Sequence, residues 1–545
     1  MKYGRIRSSS IAFLCLFLLL ADISLAGMPF PTTPDWVSTD VTSVSTGGAL
    51  VDLNRDGWLD LVVSNGNDIA RQPLAVYYNR GDGTFPDRPD WLSENRDYHG
   101  YLTAGDVNDD GWPDVAVSVY LGRNGFSAPG WAALYLNDGT GRLSSTPDWE
   151  STDHFYTFAV AFGDADSDGD LDLAVAVGEP YHNPAGRNHV FFNNNGALES
   201  TPGWSSEEIE HNMGVTWGDQ DDDGDLDLAF SGSGAPHRIY YQTPAGLETA
   251  SSWQSNAAAP IGVKLSLADI DRDGHTDLAV SENSQLGGEG HFRIYKGSAM
   301  GLPSAHSWSS QFSGYGSETV VGDANGDGWP DLLTGGWGTG GVYSDQIRIF
   351  PNRYIRPIDE EPQWTSSTGS VIERLMLGDV NNDGLMLAEE SWSGDGQRKV
   401  FTLERFPFRE IIRITADGEH LGINQYCYDR ESAWVSLASA PSETLTIEYI
   451  YSVRPDLAVT NWDGDVGNYL FYAGTPPLLF AERGPTGTEL SLDWDGGRLP
   501  FDTLEAISPD FGPGLSLVGE ALDINEWIAP PGTLPIGVLT YYRVY

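Results

Sequence analysis

In Asp164-Ala-Asp-Ser-Asp-Gly-Asp-Leu-Asp172 a carboxylate stands at every second position around a single glycine. Oxygen side chains at loop positions 1, 3 and 5, a backbone carbonyl near 7 and a carboxylate at 9 form a donor set that suits a hard cation such as Ca²⁺. Glycine at position 6 permits the sharp turn that a Cβ would obstruct.

The loop recurs along the 545-residue chain. The first copy has Asp52, Asn54, Asp56, Gly57 and Asp60; the second has Asp106, Asn108, Asp110, Gly111 and Asp114. Asp164, Asp166, Asp168, Gly169 and Asp172 form the third, and Asp219, Asp221, Asp223, Gly224 and Asp227 the fourth. Asp269, Asp271, Asp273, Gly274 and Asp277 follow, then Asp323, Asn325, Asp327, Gly328 and Asp331. A seventh opens with Asp379, Asn381, Asp383 and Gly384 and then breaks off. Starts lie 50 to 58 residues apart, the signature of a repeat array rather than of isolated sites.

Helical calcium hands need a bidentate Glu at position 12. Here that position holds Val63, Val117, Val175, Phe230, Val280 and Thr334, and the flanks are rich in alternating and β-branched residues. The loops therefore belong at the turns of β-hairpins. Each repeat reads as four strands. In the second, one strand enters the loop, another leaves it at Asp114, a third covers residues 132–136, and Asn137-Asp138-Gly139 turns the chain toward a last strand near Trp149. Four strands in each of seven units is the arithmetic of a seven-bladed β-propeller, an all-β fold.

Trp36, Trp91, Trp149, Trp204, Trp253, Trp308 and Trp364 mark the same period near each fourth strand and suit packing between blades. Trp36 precedes the first loop, whereas no tryptophan follows Tyr469–Tyr472, so residues 33–38 should supply the outer strand of blade seven and close the ring. The seventh loop is interrupted rather than lost. Pro455-Asp456-Leu-Ala-Val matches the exit of the other loops, which makes Asp456 the displaced position-9 ligand and residues 385–454 a small β-rich insertion.

Residues 1–26 read as a secretory signal peptide, with Lys2, Arg5 and Arg7 ahead of a short apolar core and Ser24-Leu25-Ala26 before the cleavage point. The propeller is expected over 27–484. A β-rich C-terminal extension, 485–545, faintly resembles an incomplete fibronectin type III-like module. No later segment reads as membrane-spanning. Cys15 lies in the signal core, so the mature chain keeps only Cys427 and calcium takes the role of disulfide staples. Asp and Glu number 78 against 30 Lys and Arg, a net charge of −48 that disfavours nucleic acid and anionic membranes as partners. The expected location is extracellular or periplasmic.

The loop, its period and Phe162-Gly163 before it resemble the FG-GAP repeats of integrin α-subunit propellers, and still more the secreted FG-GAP/VCBS repeat proteins. The phenylalanine is not kept: Ala104, Trp217, Val321 and Leu377 stand before the equivalent glycines. The resemblance implies a seven-bladed propeller with up to seven structural Ca²⁺ ions on one face, serving adhesion, recognition or scaffolding. The reading favoured is a non-catalytic module for an extracellular protein or glycan. A calcium-dependent carbohydrate-active enzyme, such as a polysaccharide lyase, and a purely structural scaffold are the alternatives. A lyase needs a base at the sugar, usually Lys, Arg, His or Tyr, with a cation against the uronate, and the mature chain has only Lys264, Lys296 and Lys399 as lysines. His99, His154 and His211 precede successive inner strands, where hydrogen bonding in loops competes with a metal or catalytic role. Strand alternation puts the second-to-third connections opposite the calcium loops. These carry Tyr120, Phe126 and Trp131, Tyr181 and Arg187, Trp337 and Tyr343, and Trp462; blade entries add Tyr98, Tyr101, Phe155 and Tyr156. Trp131, Trp337 and Trp462 are the candidate ligand-binding residues, since aromatic faces on rigidly held loops suit sugar stacking or a protein hot spot.

Overall fold

Each carboxylate loop joins two strands of a β-hairpin, and the strand leaving it is the most deeply buried part of its repeat. Asp60–Asn65, Asp114–Leu121, Asp172–Val177, Asp227–Ser233, Asp277–Glu282, Asp331–Gly336 and Asp456–Asn461 are buried at every residue. Runs such as Leu-Val-Val and Leu-Ala-Val form strands because β-branched and aliphatic side chains pack well on both faces of a sheet held between two others. The computed structural model describes residues 29–39, 44–181, 184–352, 358–463 and 466–474, and beyond these the backbone strands Leu478–Arg483, Leu490–Asp495, Glu526–Ile528 and Tyr542–Val544. The signal-peptide expectation, and most of the C-terminal extension, lie outside the described residues.

Seven antiparallel sheets of four strands follow one another. Blade two is typical: Tyr98–Gly105, Asp114–Leu121, Pro129–Tyr135 and Trp149–Glu150 pair in order. The first strand of each blade packs on the first strand of the next, and Ile372–Gly378 of blade seven packs on Ser45–Val51 of blade one. A β-bulge interrupts the first hairpin of all seven blades near the end remote from the loop, as at Ser45/Gly47 and Ile372/Arg374. Bulges of this kind sharpen local twist, which wedge-shaped blades need.

The ring closes as the tryptophan phase requires. Trp36 pairs with Leu470 and Val37 with Tyr469, so a segment from the start of the chain completes the sheet of Tyr469–Phe471. The Trp36 ring stands edge-on to Tyr77 of blade one at 5.6 Å, as Trp149 does to Phe191 and Trp204 to Tyr240. The period of tryptophans is thus a period of inter-blade contacts.

Residues 385–454 form two small sheets. Leu385–Ser393, Thr444–Ser452, Phe408–Ala416 and Glu419–His420 make one; Val400–Thr402, Trp434–Leu437 and Tyr426–Tyr428 make the other. Asp417 and Gly418 turn the hairpin between Phe408–Ala416 and Glu419–His420, both with positive φ. The insertion's Phe401, Val435, Ile447 and Tyr449 share one apolar cluster with Ile270 and Leu332 of blades five and six. Blades and insertion together make one compact unit, Phe30–Ala473. That unit ends before residue 484 because Leu478–Arg483 pairs with Leu490–Asp495 and Tyr542–Val544 rather than with blade seven.

Ring closure rests on a short strand with one large anchor. Trp36→Ala is expected to cost about 2 to 3 kcal/mol in urea denaturation, because a half-buried indole between two blades is lost. Leu92→Ala, at an outer position 45% exposed, should change stability by no more than about 0.5 kcal/mol. Equal, small effects would show that the chain's start does not hold the ring.

Candidate metal loops and the opposite mouth

The seven loops share one backbone path. The position-1 aspartate accepts the amide of the position-6 glycine on Oδ2 in every copy, at 2.8 to 3.1 Å. Position 5 accepts the amide two residues on, as Asp56 does from Trp58 at 2.9 Å. Residue 4 is left-handed throughout: Arg55, Asp109, Ser167, Asp222, Arg272, Gly326 and Asn382 have φ between 47° and 75°. Sequence reasoning missed this residue, and Gly, Asn or Asp in four of the copies was the available signal. Gly57, Gly111, Gly169, Gly224, Gly274 and Gly328 have φ near +90°, as the turn requires. Gly384, where the chain departs for the insertion, does not take this conformation.

Position 9 has a second role. Asp60 Oδ2 accepts the Leu53 amide at 3.2 Å and Oδ1 accepts the Asn79 amide at 2.8 Å, tying the loop's start to the end of the third strand. Asp114, Asp172, Asp227, Asp277 and Asp331 repeat both bonds. So does Asp456, which accepts Val380 N at 3.0 Å and Ala473 N at 2.7 Å across the whole insertion. The asparagines beside these aspartates were also missed. Asn79 Nδ2 donates to Val380 O at 2.8 Å, Asn137 Nδ2 to Leu53 O at 2.9 Å and Asn193 Nδ2 to Val107 O at 2.8 Å, each reaching the loop of the preceding blade.

The donor sets fit a hard cation. Carboxylate oxygens of Asp164, Asp166 and Asp172 lie within 4.8 Å of one another, as do those of Asp219, Asp221 and Asp227 and of Asp269, Asp271 and Asp273. Asp219 Oδ1 and Asp323 Oδ1 are buried and accept no hydrogen bond, an arrangement that is costly unless a cation completes it. In the remaining copies Asn54, Asn108, Asn325 and Asn381 offer an amide oxygen at position 3, with Asp52, Asp56, Asp106, Asp110, Asp323, Asp327, Asp379 and Asp383 around them. Loop five also carries a protein cation: the Lys296 ammonium pairs with Asp271 and lies 3.4 Å from Asp273. Burial is the main force on the acids, pushing Asp60, Asp114, Asp164, Asp219 and Asp277 up to about 7 and Asp456 to about 8.

The insertion lies over this face. Its Asp429, Arg430, Glu431 and Ser432 stand at the end of the central channel that the inner strands enclose, beside Lys264 and Arg374. Arg374 bridges Glu318 of blade six at 2.8 Å and Glu431 of the insertion. At the opposite mouth a cavity of about 130 Å³ is lined by Tyr120, Tyr181, Trp337, Tyr343 and Trp462 together with Asp68, Glu179 and Glu373. Glu373 is fully buried; Asn67 Nδ2 donates to it at 3.1 Å and the Tyr101 hydroxyl at 3.3 Å, and burial holds its carboxyl well above the usual range. Trp337 and Trp462 meet in this cavity, the latter 6.3 Å from the Tyr343 ring.

Trp131 does not join them. The third strand of blade two begins at Pro129 rather than Ala132, so Trp131 pairs with Val119 inside the sheet, 9% exposed and edge-on to His154. Nor do the histidines gather: buried His99 holds Asn65 O at 3.1 Å through Nδ1 while His154 packs on Trp131.

Residues 52–117, 119–175 and 269–334 match the FG-GAP-like repeat. Integrin alpha-3 of Mus musculus and that of Cricetulus griseus are each 38% identical over 80 residues, which is 13% of this chain and 8% of theirs. The chain thus matches a small part of those relatives' length. A crystal structure of BBS1N with ARL6DN aligns at 13% identity and TM-score 0.42, covering 66% of this chain and 94% of that one. The Dos1 propeller aligns at 9% identity and TM-score 0.40, covering 66% and 93%.

These carboxyls define a pH response. Their folded values exceed the unfolded value of about 4, so the folded state favours their protonated forms. That stabilisation is full below about pH 4 and is lost as pH rises through about 7. In chelator, the melting temperature should fall between about pH 5 and 8; millimolar calcium should flatten the decline. A chelated melting temperature that holds or rises over that interval contradicts the assignment.

Proposed function

We propose that this chain, an all-β propeller carrying FG-GAP-like repeats, is a secreted recognition module whose loops bind structural calcium and whose opposite mouth binds an extracellular protein or glycan. The carrying observation is the asymmetry of the two faces. The insertion covers the loop face, whereas the other mouth holds an aromatic-lined cavity on loops fixed by rigid sheets.

Calcium is the ion that the donor sets suit best. All seven loops offer oxygen only, at the spacing of a hard-cation site, in a chain of net charge −48. Extracellular sites of this type bind with Kd near ~10⁻⁴ to 10⁻³ M, and millimolar calcium then adds roughly 1 kcal/mol or more per site. The signal-like first 26 residues and the short similarity to an integrin alpha subunit support an extracellular setting. Among the described residues no helix is long and apolar enough to cross a membrane.

The cavity's own chemistry favours recognition over lyase action. Carboxylates at Asp68 and Glu179 would repel a uronate unless a cation intervened. Lys296 and Lys399 are engaged at the loop face, by Asp271 and by Ser167 O, and Lys264 stands in the channel near the Tyr101 ring. Among the described residues no lysine lines the cavity.

The test is an array of extracellular proteins and glycans probed with the full chain, with and without calcium. Trp462→Ala, at a half-buried position, should weaken the best hit by at least about tenfold, as loss of an aromatic hot spot does, while calcium-dependent melting stays near that of the parent; Trp337→Ala, 6% exposed, should weaken binding as much and also lower stability by about 2 to 4 kcal/mol. Trp131→Ala should instead lower stability by about 2 to 4 kcal/mol, being a buried strand residue. Undiminished binding by both mouth variants would move the site elsewhere.

A further inference from the structure

Three side chains of the insertion hydrogen-bond the same atom in three different loops, and a fourth, the Arg409 guanidinium, lies 3.9 Å from that atom of Asp52 in loop one. Ser436 Oγ donates to Asp164 Oδ2 at 2.6 Å, Ser452 Oγ to Asp379 Oδ2 at 2.7 Å, and Arg398 Nη2 to Asp219 Oδ2 at 2.8 Å. In each case the acceptor is the position-1 carboxylate, and the oxygen already holds the position-6 glycine amide. Among the described residues, Asp106 and Asp269 of loops two and five receive no hydrogen bond from the insertion. Asp164, Asp379 and Asp219 are nearly inaccessible and Asp106 and Asp269 half-buried, but burial alone does not set the division, since Asp323 of loop six is also buried and, among the described residues, its carboxylate accepts the Gly328 amide and no hydrogen bond from the insertion.

Backbone contacts reinforce the grip. Lys399 Nζ donates to Ser167 O at 2.6 Å within loop three, and the Val400 amide to Gly224 O at 2.8 Å in loop four. The Cys427 thiol, the free cysteine of the described chain, lies 3.7 Å from Asp170 O of loop three.

We infer that the insertion is a clamp that positions metal ligands, with Ser436 and Ser452 fixing the calcium carboxylates of loops three and seven and Arg398 opposing calcium in loop four. The inference rests on the calcium reading proposed above. A hydroxyl donated to Oδ2 locks the carboxylate's orientation and costs no charge, and Oδ1, which accepts one loop amide in Asp164 and in Asp379, keeps a second lone pair for the metal. Partners of this kind tune affinity by about 10- to 100-fold. A guanidinium on the same oxygen is a competing cation, and its removal strengthens the local field for Ca²⁺. The seven sites then fall into unequal classes although their loop sequences are nearly alike. Coupling is reciprocal: calcium that is held by the clamp also holds the clamp in place.

The experiment is calcium titration of the full chain by calorimetry, after exhaustive chelation, with Ser436→Ala, Ser452→Ala, their double variant and Arg398→Gln. Each serine variant should weaken one site by about 10- to 100-fold and leave the remaining sites unchanged, whereas Arg398→Gln should tighten one site. Ser391→Ala, an exposed insertion position bonded only to Thr446, is the control and should leave every site as in the parent. Limited proteolysis at the exposed Asp417–Gly418 turn supplies the reciprocal reading: the double variant should need more calcium than the parent to gain protection. A parent that binds calcium with affinities unmoved by these substitutions overturns the clamp alone. A parent that takes up no calcium overturns the calcium reading and the clamp with it.

Discussion

Seven aspartates with no more than 1% exposure hold this molecule in register. Each position-9 carboxylate accepts one amide from the head of its own metal loop and another from the end of the third strand. One side chain thereby joins three strands of a blade. Charge-assisted bonds to buried backbone groups contribute about 1.5 to 3 kcal/mol each, but the carboxylate must first leave water. Burial raises the acids accordingly, and a cation bound there would make the charged form tolerable. The metal-loop candidates and the blade architecture are therefore one device.

The neighbouring asparagines extend that device around the ring. Asn79, Asn137 and Asn193 carry the bond from one blade to the loop of the blade before it, and Asn79 links blade one to blade seven. With Trp36 closing the last sheet from the chain's start, the ring has polar links at the loop face and aromatic contacts at its rim. Neither set suffices alone: indole packing is non-directional, whereas the amide and carboxylate bonds fix strand register.

The insertion gives the ring two unlike faces. Its Glu431 enters an ion pair with Arg374, which also holds Glu318 at the channel wall. Ion pairs of this depth contribute little net stability, since desolvation offsets the attraction, but they punish misplacement severely. Their effect is to fix the insertion over one mouth. The other mouth is left uncovered by the insertion, with Tyr343 exposed and Tyr181 and Trp462 half-buried around the buried Tyr120, Trp337, Glu179 and Glu373.

The repeat length, the all-β architecture, the gathering of positions 1, 3, 5 and 9 in one hairpin loop, and the displaced position of Asp456 were legible because each depends on local spacing. Positions two apart on a loop, alternation along a strand and a fixed period survive in one dimension. Even ring closure could be read, since the Trp36 register is a phase in the same period. What stayed hidden depends on approach between distant segments. The inter-blade bonds of Asn79 and its counterparts, the bulges in the first hairpins and the left-handed residue 4 have weak local signals. Trp131 looked like Trp337 and Trp462 in sequence, yet three more residues of strand pairing hold it within the sheet of blade two, away from the cavity that the other two line. The insertion shows the division most clearly. Its existence follows from a broken loop, but its place over the metal-loop face, with Ser436 on Asp164 and Arg398 on Asp219, follows only from packing. Sequence fixes which oxygens belong to a loop, because their spacing is covalent. Only the tertiary structure decides which of them receive a second donor, because that donor comes from 73 to 272 residues away.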